Sequence, residues 1–515
     1  MLFITMDYFQ KHPGYLMNTQ AFQFWGLCIF VMILCAISAY FIHKFKIKAQ
    51  RFSRGIVLYI FGMLLMLITF TTGGNAAHEV AKTGTIQIQH LGFLMLKFLQ
   101  ISAYLTVILT ACYAAGNLIV KFLKVDFPKN AQKIIELGIG IMAVVLLSFF
   151  IAAMKLFYAY VMWPIIGLII VANYKISFEF IKKLFWTPIK FNKKLNILGL
   201  FCALLLTYLL SINLLQNLTP WPKGWDSLSL YINLPNLLEE YHGLVKGFQP
   251  YNWSIFMSLG MVLFKSIETT LALSYLGGVL CLFALYPLAR NIFKLDVNFS
   301  LATCLAFYLI PTISFQSFLE QKVDLGLLFI VLIIVNLLMD WAKEARPKQA
   351  FFDKHLILAG LLTGFAFGIK LTTLFTYFGV IAMIWFFNMG SLAFFCVTLM
   401  SLFGILLVKL DDMSGMRVHH LSSNLLQWVL LLTGGALLTW LFIKQRKKLM
   451  KSIGQTILYS MFFVLMALPW LGKNFVDAGN QLSFNYLLNG KSNAPVFSLQ
   501  QFEKKWQENY NRNGQ

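Results

Sequence analysis

The chain has 515 residues, 59% of them hydrophobic and only 12% charged. A soluble fold of this length needs a far more charged surface, so a water-soluble globular protein is excluded, and the lack of alternating segments of about ten residues argues against a membrane β-barrel. The formal net charge is +22, but the basic residues lie in short loops between apolar runs, so they report membrane orientation and contact with anionic lipid, not nucleic acid.

Taken in order, the apolar segments are 22–41, 55–72, 92–115, 134–153, 156–173, 195–215, 269–289, 299–318, 324–341, 356–371, 372–387, 392–408, 425–442 and 456–471. Many reach the ~20 residues that cross a hydrocarbon layer of ~30 Å. The expected fold class is therefore an all-α polytopic membrane protein with about fourteen transmembrane helices. The stretch 356–387 also admits a re-entrant segment. No cleavable leader is expected before the first apolar run. The seven cysteines sit inside apolar segments without CxxC spacing and read as small buried residues.

Orientation follows from the loops. Lys44, Lys46, Lys48, Arg51 and Arg54 crowd one; Lys121, Lys124, Lys129 and Lys133 another. Two more basic groups lie between Lys175 and Lys194 and between Lys444 and Lys451. Counting spans puts all of these on one side, together with 343–354. The positive-inside rule makes that side cytoplasmic. The segments 73–90, 215–253, 320–324, 409–420 and the tail after Trp470 then face outward, and no large soluble domain is expected in that tail.

The longest polar interruption is 215–253. Leu234, Leu237, Leu238, Tyr241 and Leu244 recur there at helical spacing, which predicts a helix over 234–245 in the membrane interface. Trp221, Trp225, Tyr231, Tyr251 and Trp253 are its expected aromatic anchors. The apolar piece 254–264 is too short to span and reads as a second surface or re-entrant helix.

Asp226 precedes these helices; it suits proton abstraction from an acceptor hydroxyl, a helix N-cap or an ion pair with Lys223. Glu320 and Asp324 are four apart, so on one helix they share a face. Acidic groups at a membrane edge are costly and often functional, though solvation among headgroups also accounts for them. Lys370 follows a stripe of Gly360, Gly364 and Gly368 that permits close helix packing. It suits a phosphate contact or snorkelling to the headgroups. Lys265 and Lys473 are further outward cations. His419 and His420 are adjacent, poor spacing for a metal.

Four pieces, in order and on one side, carry a family resemblance: Trp225-Asp226-Ser227-Leu228 with Tyr231 and Pro235; Glu320 through Asp324-Leu325; the run from Gly360 to Lys370; and Pro469-Trp470-Leu471-Gly472-Lys473-Asn474. Together they resemble the GT-C membrane glycosyltransferases of the polyprenyl-phosphate-sugar-dependent type, which include protein O-mannosyltransferases and the aminoarabinose transferase of lipid A. The resemblance implies a GT-C-like catalytic membrane core over 195–480, with interfacial helices in its first large outer loop. An N-terminal five-helix membrane extension over 1–194 precedes it, and a short polar tail, 481–515, follows. It implies a multi-pass enzyme of the plasma (inner) membrane of a cell envelope, with its catalytic loop outside. The enzyme would move a sugar, with inversion, from a polyprenyl-phosphate-linked donor to a glycan, lipid or protein hydroxyl. Asp226 would be the base, Glu320 and Asp324 would support it or position the acceptor, and Lys370, with Lys265 and Lys473, would bind the donor phosphate. The superfamily admits a bound divalent metal, but the sequence offers no dedicated ligand set for one. The interval from the aspartate to the proline is longer here than is usual, and lysine replaces the usual arginine of the last piece.

Three other readings remain, one of them a structural membrane subunit whose outer loop docks a partner. A polysaccharide polymerase or ligase relies on outer-loop arginines, of which this chain has only Arg417 before its tail. A lipid or glycan transporter or flippase would show paired halves with matching broken helices.

Overall fold

Backbone N–H and C=O groups find no water in hydrocarbon, so each apolar run must satisfy them internally, and helices result. The computed structural model describes residues 19–44, 62, 64, 88–186, 195–217, 227–246, 248–318, 320, 322–344, 353–407 and 423–479, and among these every regular element is helical. In chain order they are α1 (Thr19–Lys44), α2 (Ile88–Leu123), α3 (Gln132–Ala153), α4 (Ala159–Ala172), α5 (Tyr174–Phe185) and α6 (Ile197–Asn217). A five-residue π-helix, Ser227–Tyr231, leads into α7 (Asn233–Tyr241), α8 (Asn252–Phe264) and α9 (Ile267–Asn291). Then come α10 (Val297–Tyr308), α11 (Pro311–Phe318), α12 (Asp324–Glu344), α13 (Lys354–Phe367), α14 (Thr373–Met389), α15 (Ser391–Leu407) and α16 (Ser423–Asp477).

Six of these helices are long and apolar enough to cross a membrane, or eight if each of two bent pairs is one span. The count of about fourteen is not reached among the described residues. The expected span 55–72 lies almost wholly outside them, and α13, α14 and α15 are apolar but only 14, 17 and 17 residues long. Conversely, α16 joins two expected spans and breaks at Gln445, whose φ of −136° and ψ of 37° are not helical. Many large apolar side chains face outward, among them Leu168 at 68%, Leu432 at 67% and Ile443 at 72% exposed. An apolar belt on this scale suits lipid, not water.

The two bends have local causes. The expected span 156–173 becomes α4, which turns by 90° into α5. Asn173 holds the corner, donating from Nδ2 to Ala114 O at 3.3 Å and to Asn117 Oδ1 at 3.2 Å. The expected span 299–318 breaks by 73° between α10 and α11. Pro311 lacks an N–H and disfavours helical geometry in the residue before it.

One buried apolar cluster runs from α2 and α3 through α8, α9 and α12 to α13 and α16. The glycines of α13 work as the sequence suggests. A Cβ on Gly360 would lie 2.5 Å from Tyr459 O, and one on Gly364 would lie 2.3 Å from Phe463 O, so α13 and α16 touch backbone to backbone. The bundle has two polar ends. One gathers Lys124, Asn130, Arg290, Asn291, Lys343 and His355. Elsewhere the pairs Lys97–Glu268 and Lys265–Glu239 lie around the end of α8 and the start of α9, and Asp324–Lys370 lies beside the start of α8.

Candidate functional site

The helix that organises the second end is α8. Twelve of its thirteen residues are buried, because its sequence is apolar all round and so has no face for solvent. This corrects the expectation that Tyr251 and Trp253 anchor the loop in the interface: they are 3% and 0% exposed. The piece 254–264, expected as a surface or re-entrant helix, is thereby removed from the surface and packed into the core. The preceding α7 is shorter than expected and buries Leu234, Pro235, Asn236, Leu237 and Leu238.

Asn252, at the start of α8, ties three elements together. Its backbone N–H donates to Gly368 O at 2.7 Å and its Nδ2 to Phe365 O at 2.9 Å, both just where α13 ends. Its Oδ1 accepts from Trp470 Nε1 of α16 at 2.9 Å. Gly368 has no room for a side chain here, since a Cβ would lie 2.1 Å from Asn252 Nδ2. The next residue, Trp253, lies flat against Gly326 in the first turn of α12, where a Cβ would meet the indole at 2.2 Å. The start of α8 is thus wedged between the start of α12, the end of α13 and the end of α16.

Charged groups flank this wedge. Asp324 opens α12, and Lys370 sits in the turn after α13; Lys370 Nζ and Asp324 Oδ1 are 2.7 Å apart, with side chains 37% and 30% exposed. Lys370 leaves the chain after the helix has ended at Phe367. On the α16 side, Lys473 Nζ contacts Asp477 Oδ2 at 2.7 Å, and both side chains are almost fully buried. The ammonium lies over the rings of Tyr251 and Trp470, at 5.7 and 5.8 Å, and donates to Phe248 O at 3.4 Å. A cation held by aromatic faces and a carboxylate is fixed in position.

The other expected site residues are elsewhere or outside view. Lys265 follows the far end of α8, about 20 Å along that helix from Asn252, where it pairs with Glu239. Glu320 lies in the bend before α12, not on the same helical face as Asp324 as the spacing predicts. Its Oε2 is 3.9 Å from Lys322 Nζ and makes no hydrogen bond among the described residues. Asp226, Trp221, Trp225 and the tail 481–515 lie outside the described residues. Ser227, next to Asp226, opens the π-helix and is fully buried.

Asn252 and Asp477 were not singled out by sequence. Asn252 reads as part of a glycosylation sequon, a pattern too common to mark a hub. Asp477 was accessible, since it stands four residues after Lys473 on a helix.

Fold and site together define, among the described residues, an all-helical multi-pass membrane protein in which two ion pairs, Asp324–Lys370 and Lys473–Asp477, flank one buried helix start. No family model, no curated protein and no solved structure matches the chain.

Proposed function

We propose that the chain is a GT-C-type membrane glycosyltransferase that moves a sugar from a polyprenyl-phosphate donor to an acceptor hydroxyl. The observation that carries the reading is the half-exposed Asp324–Lys370 pair at 2.7 Å beside the start of α8. It gathers two of the four sequence pieces of the GT-C resemblance, and Trp470 brings a third to the same helix start. The fourth, around Asp226, precedes the chain's entry into π-helix and α7.

In this reading the acceptor oxygen attacks the anomeric carbon of the donor. The bond from that carbon to the phosphate oxygen breaks, with inversion. Asp226 takes the hydroxyl proton. The charge that develops on the departing polyprenyl phosphate is met by Lys370, and stabilising developing charge is where such a site gains most of its rate. Phosphate binding would displace Asp324 from Lys370 and leave that carboxylate to orient the acceptor. Lys473, paired with the buried Asp477, holds Trp470 and Tyr251 in place and does not meet the phosphate. The apolar outer faces of the bundle receive the lipid tail. The basic end of the bundle is cytoplasmic and the α8 end extracytoplasmic.

The test is transfer in proteoliposomes loaded with a panel of polyprenyl-phosphate sugars. The parent chain should form a covalent glycoside, and Asp226→Asn should lose it while remaining folded. Near-normal turnover by that variant removes the reading. The two bent helix pairs favour a second reading, a lipid or glycan transporter. Movement of an intact donor across the bilayer, with no glycoside formed, would select it.

A further inference from the structure

The break in α16 plays no part in the proposed reaction, yet it carries the densest run of positive charge on that helix. A straight helix from Ser423 to Asp477 would be about 80 Å long, against ~30 Å of hydrocarbon. Gln445 divides it into arms of about 33 and 48 Å. Each arm reaches across the hydrocarbon, so the break lies at a membrane surface. Lys451, just beyond it, feels the charge of Asp353 at the start of α13, and Asp353 faces His355 at 3.5 Å. The break therefore belongs to the basic end of the bundle.

Lys444, Arg446, Lys447 and Lys448 crowd this break, and all four are exposed. Within α16 there is no acidic residue before Asp477, its last, and none of the four pairs with a carboxylate among the described residues. Other cations at this end are used by the fold: Lys354 donates to Lys124 O at 3.4 Å and Lys343 to Asn291 O at 3.3 Å. Apolar side chains adjoin the unused charges on both sides of the break. Phe442, Ile443 and Met450 are 47%, 72% and 56% exposed, and the Arg446 guanidinium lies over the Phe442 ring at 5.5 Å. An acidic soluble partner would match the charge but not this apolar flank. The boundary between headgroups and acyl chains matches both, because lysine and arginine stems run along apolar surface while their charges reach the phosphates. Four basic residues beside a membrane span suffice to hold anionic lipid. A zwitterionic headgroup brings its own cation and leaves the four charges unanswered.

We infer that the break in α16 is a docking site for anionic phospholipid, with Lys444, Arg446, Lys447 and Lys448 on the phosphates and Ile443 and Met450 among the acyl chains. It is one located site, distinct from the general attraction of basic loops to a membrane, and it stands or falls independently of the proposed sugar transfer.

Native mass spectrometry of the detergent-purified full chain tests it, with phosphatidylglycerol and phosphatidylcholine of matched tails as probes. The parent should retain phosphatidylglycerol over phosphatidylcholine; equal retention would overturn the inference. Changing Lys444, Arg446, Lys447 and Lys448 together to Gln should lower phosphatidylglycerol retention about tenfold or more. The four side chains are exposed, so this variant should keep the parent's unfolding temperature in the same detergent. Changing Lys444, Lys447 and Lys448 to Arg keeps the charge and should keep the lipid, which separates lost binding from lost folding. Changing Lys121, Lys124, Lys129 and Lys175 to Gln is an equal charge change elsewhere at the basic end and should leave retention near the parent level. Equal loss in both glutamine sets would reduce the effect to diffuse charge and overturn the inference. Ile443→Ser with Met450→Ser should lower retention several-fold with every charge in place; undiminished retention would assign the patch to an acidic soluble partner instead. Displacement of the lipid by inorganic phosphate would also overturn the assignment, because the ligand would then be the free anion.

Discussion

Replacing Gly326 by alanine tests the wedge at its tightest point. The added Cβ would stand 2.2, 2.3 and 2.6 Å from Cδ2, Cε2 and Cε3 of Trp253, where carbon atoms settle at about 3.5 to 4.0 Å. The indole has nowhere to go: Trp253 is 0% exposed and packs on Phe256, with ring centroids 5.0 Å apart. Overpacking of this kind costs about 1–3 kcal/mol, and an immovable ring puts the cost at the upper end, about 3 kcal/mol. Alanine returns up to about 1 kcal/mol in helix propensity, which leaves a net loss of about 2 kcal/mol. Equilibrium unfolding in detergent, followed by tryptophan fluorescence, reads this directly. In a Trp253→Leu background the ring is gone, so Gly326→Ala should there cost nothing or stabilise slightly, a coupling of about 2–3 kcal/mol. A Gly326→Ala protein as stable as its parent, or two strictly additive changes, would refute the packing argument.

Lys370→Ala should separate stability from function: a pair this exposed contributes at most about 1 kcal/mol to folding, while use of the polyprenyl-phosphate donor should fall about a hundredfold or more; unchanged donor kinetics would return Lys370 to snorkelling. Asn252→Leu strands Trp470 Nε1 and Phe365 O in a buried site and should destabilise by about 3 kcal/mol, so a variant within about 0.5 kcal/mol of the parent would contradict the hub. Burial pushes the Asp353 carboxyl up, but side-chain and backbone hydrogen bonds from His355 outweigh it and hold the group below its ordinary value of 3.8. Its stabilising contribution is therefore complete above that value and lost as pH falls through the lowered one. Asp353→Asn keeps a capping side chain and should flatten the stability profile below about pH 4; an unaltered acid limb would show that Asp353 is not responsible. Lys265 is 62% exposed on its side chain, and six of the native cysteines are buried free thiols, so Lys265→Cys should take a membrane-impermeant maleimide on intact cells. Reaction only after permeabilisation would invert the proposed orientation.

Periodicity and composition carried much of this architecture. The glycine stripe of α13 pointed to close packing and meets the α16 backbone, and the short apolar piece after Tyr251 is the helix α8. What escaped was direction. A straight span and a bent pair have the same hydropathy: Pro311 marked a break within its span but not the angle, and the corner at Asn173 rests on side-chain hydrogen bonds that hydropathy does not register. Aromatic residues in a polar loop look like interface anchors by composition. Tyr251 and Trp253 are core because the three helix ends around Asn252 close over them, a tertiary fact with no local signature. Glu320 and Asp324 look like one face only if the helix begins before Glu320, and it begins at Asp324. Asp324 with Lys370 was legible as two groups on one side of the membrane, but their contact joins residues 46 apart in sequence.

The edge of Phe149 rests on Trp470, with ring centroids 4.9 Å apart, and Leu244 N–H reaches back to Ala152 O at 3.3 Å. The helix α3 is therefore a buttress for the candidate site, not luggage attached to it. A truncated protein starting near residue 195 would bare one side of the tryptophan that Asn252 and Lys473 depend on, so a minimal version of this molecule must keep α3.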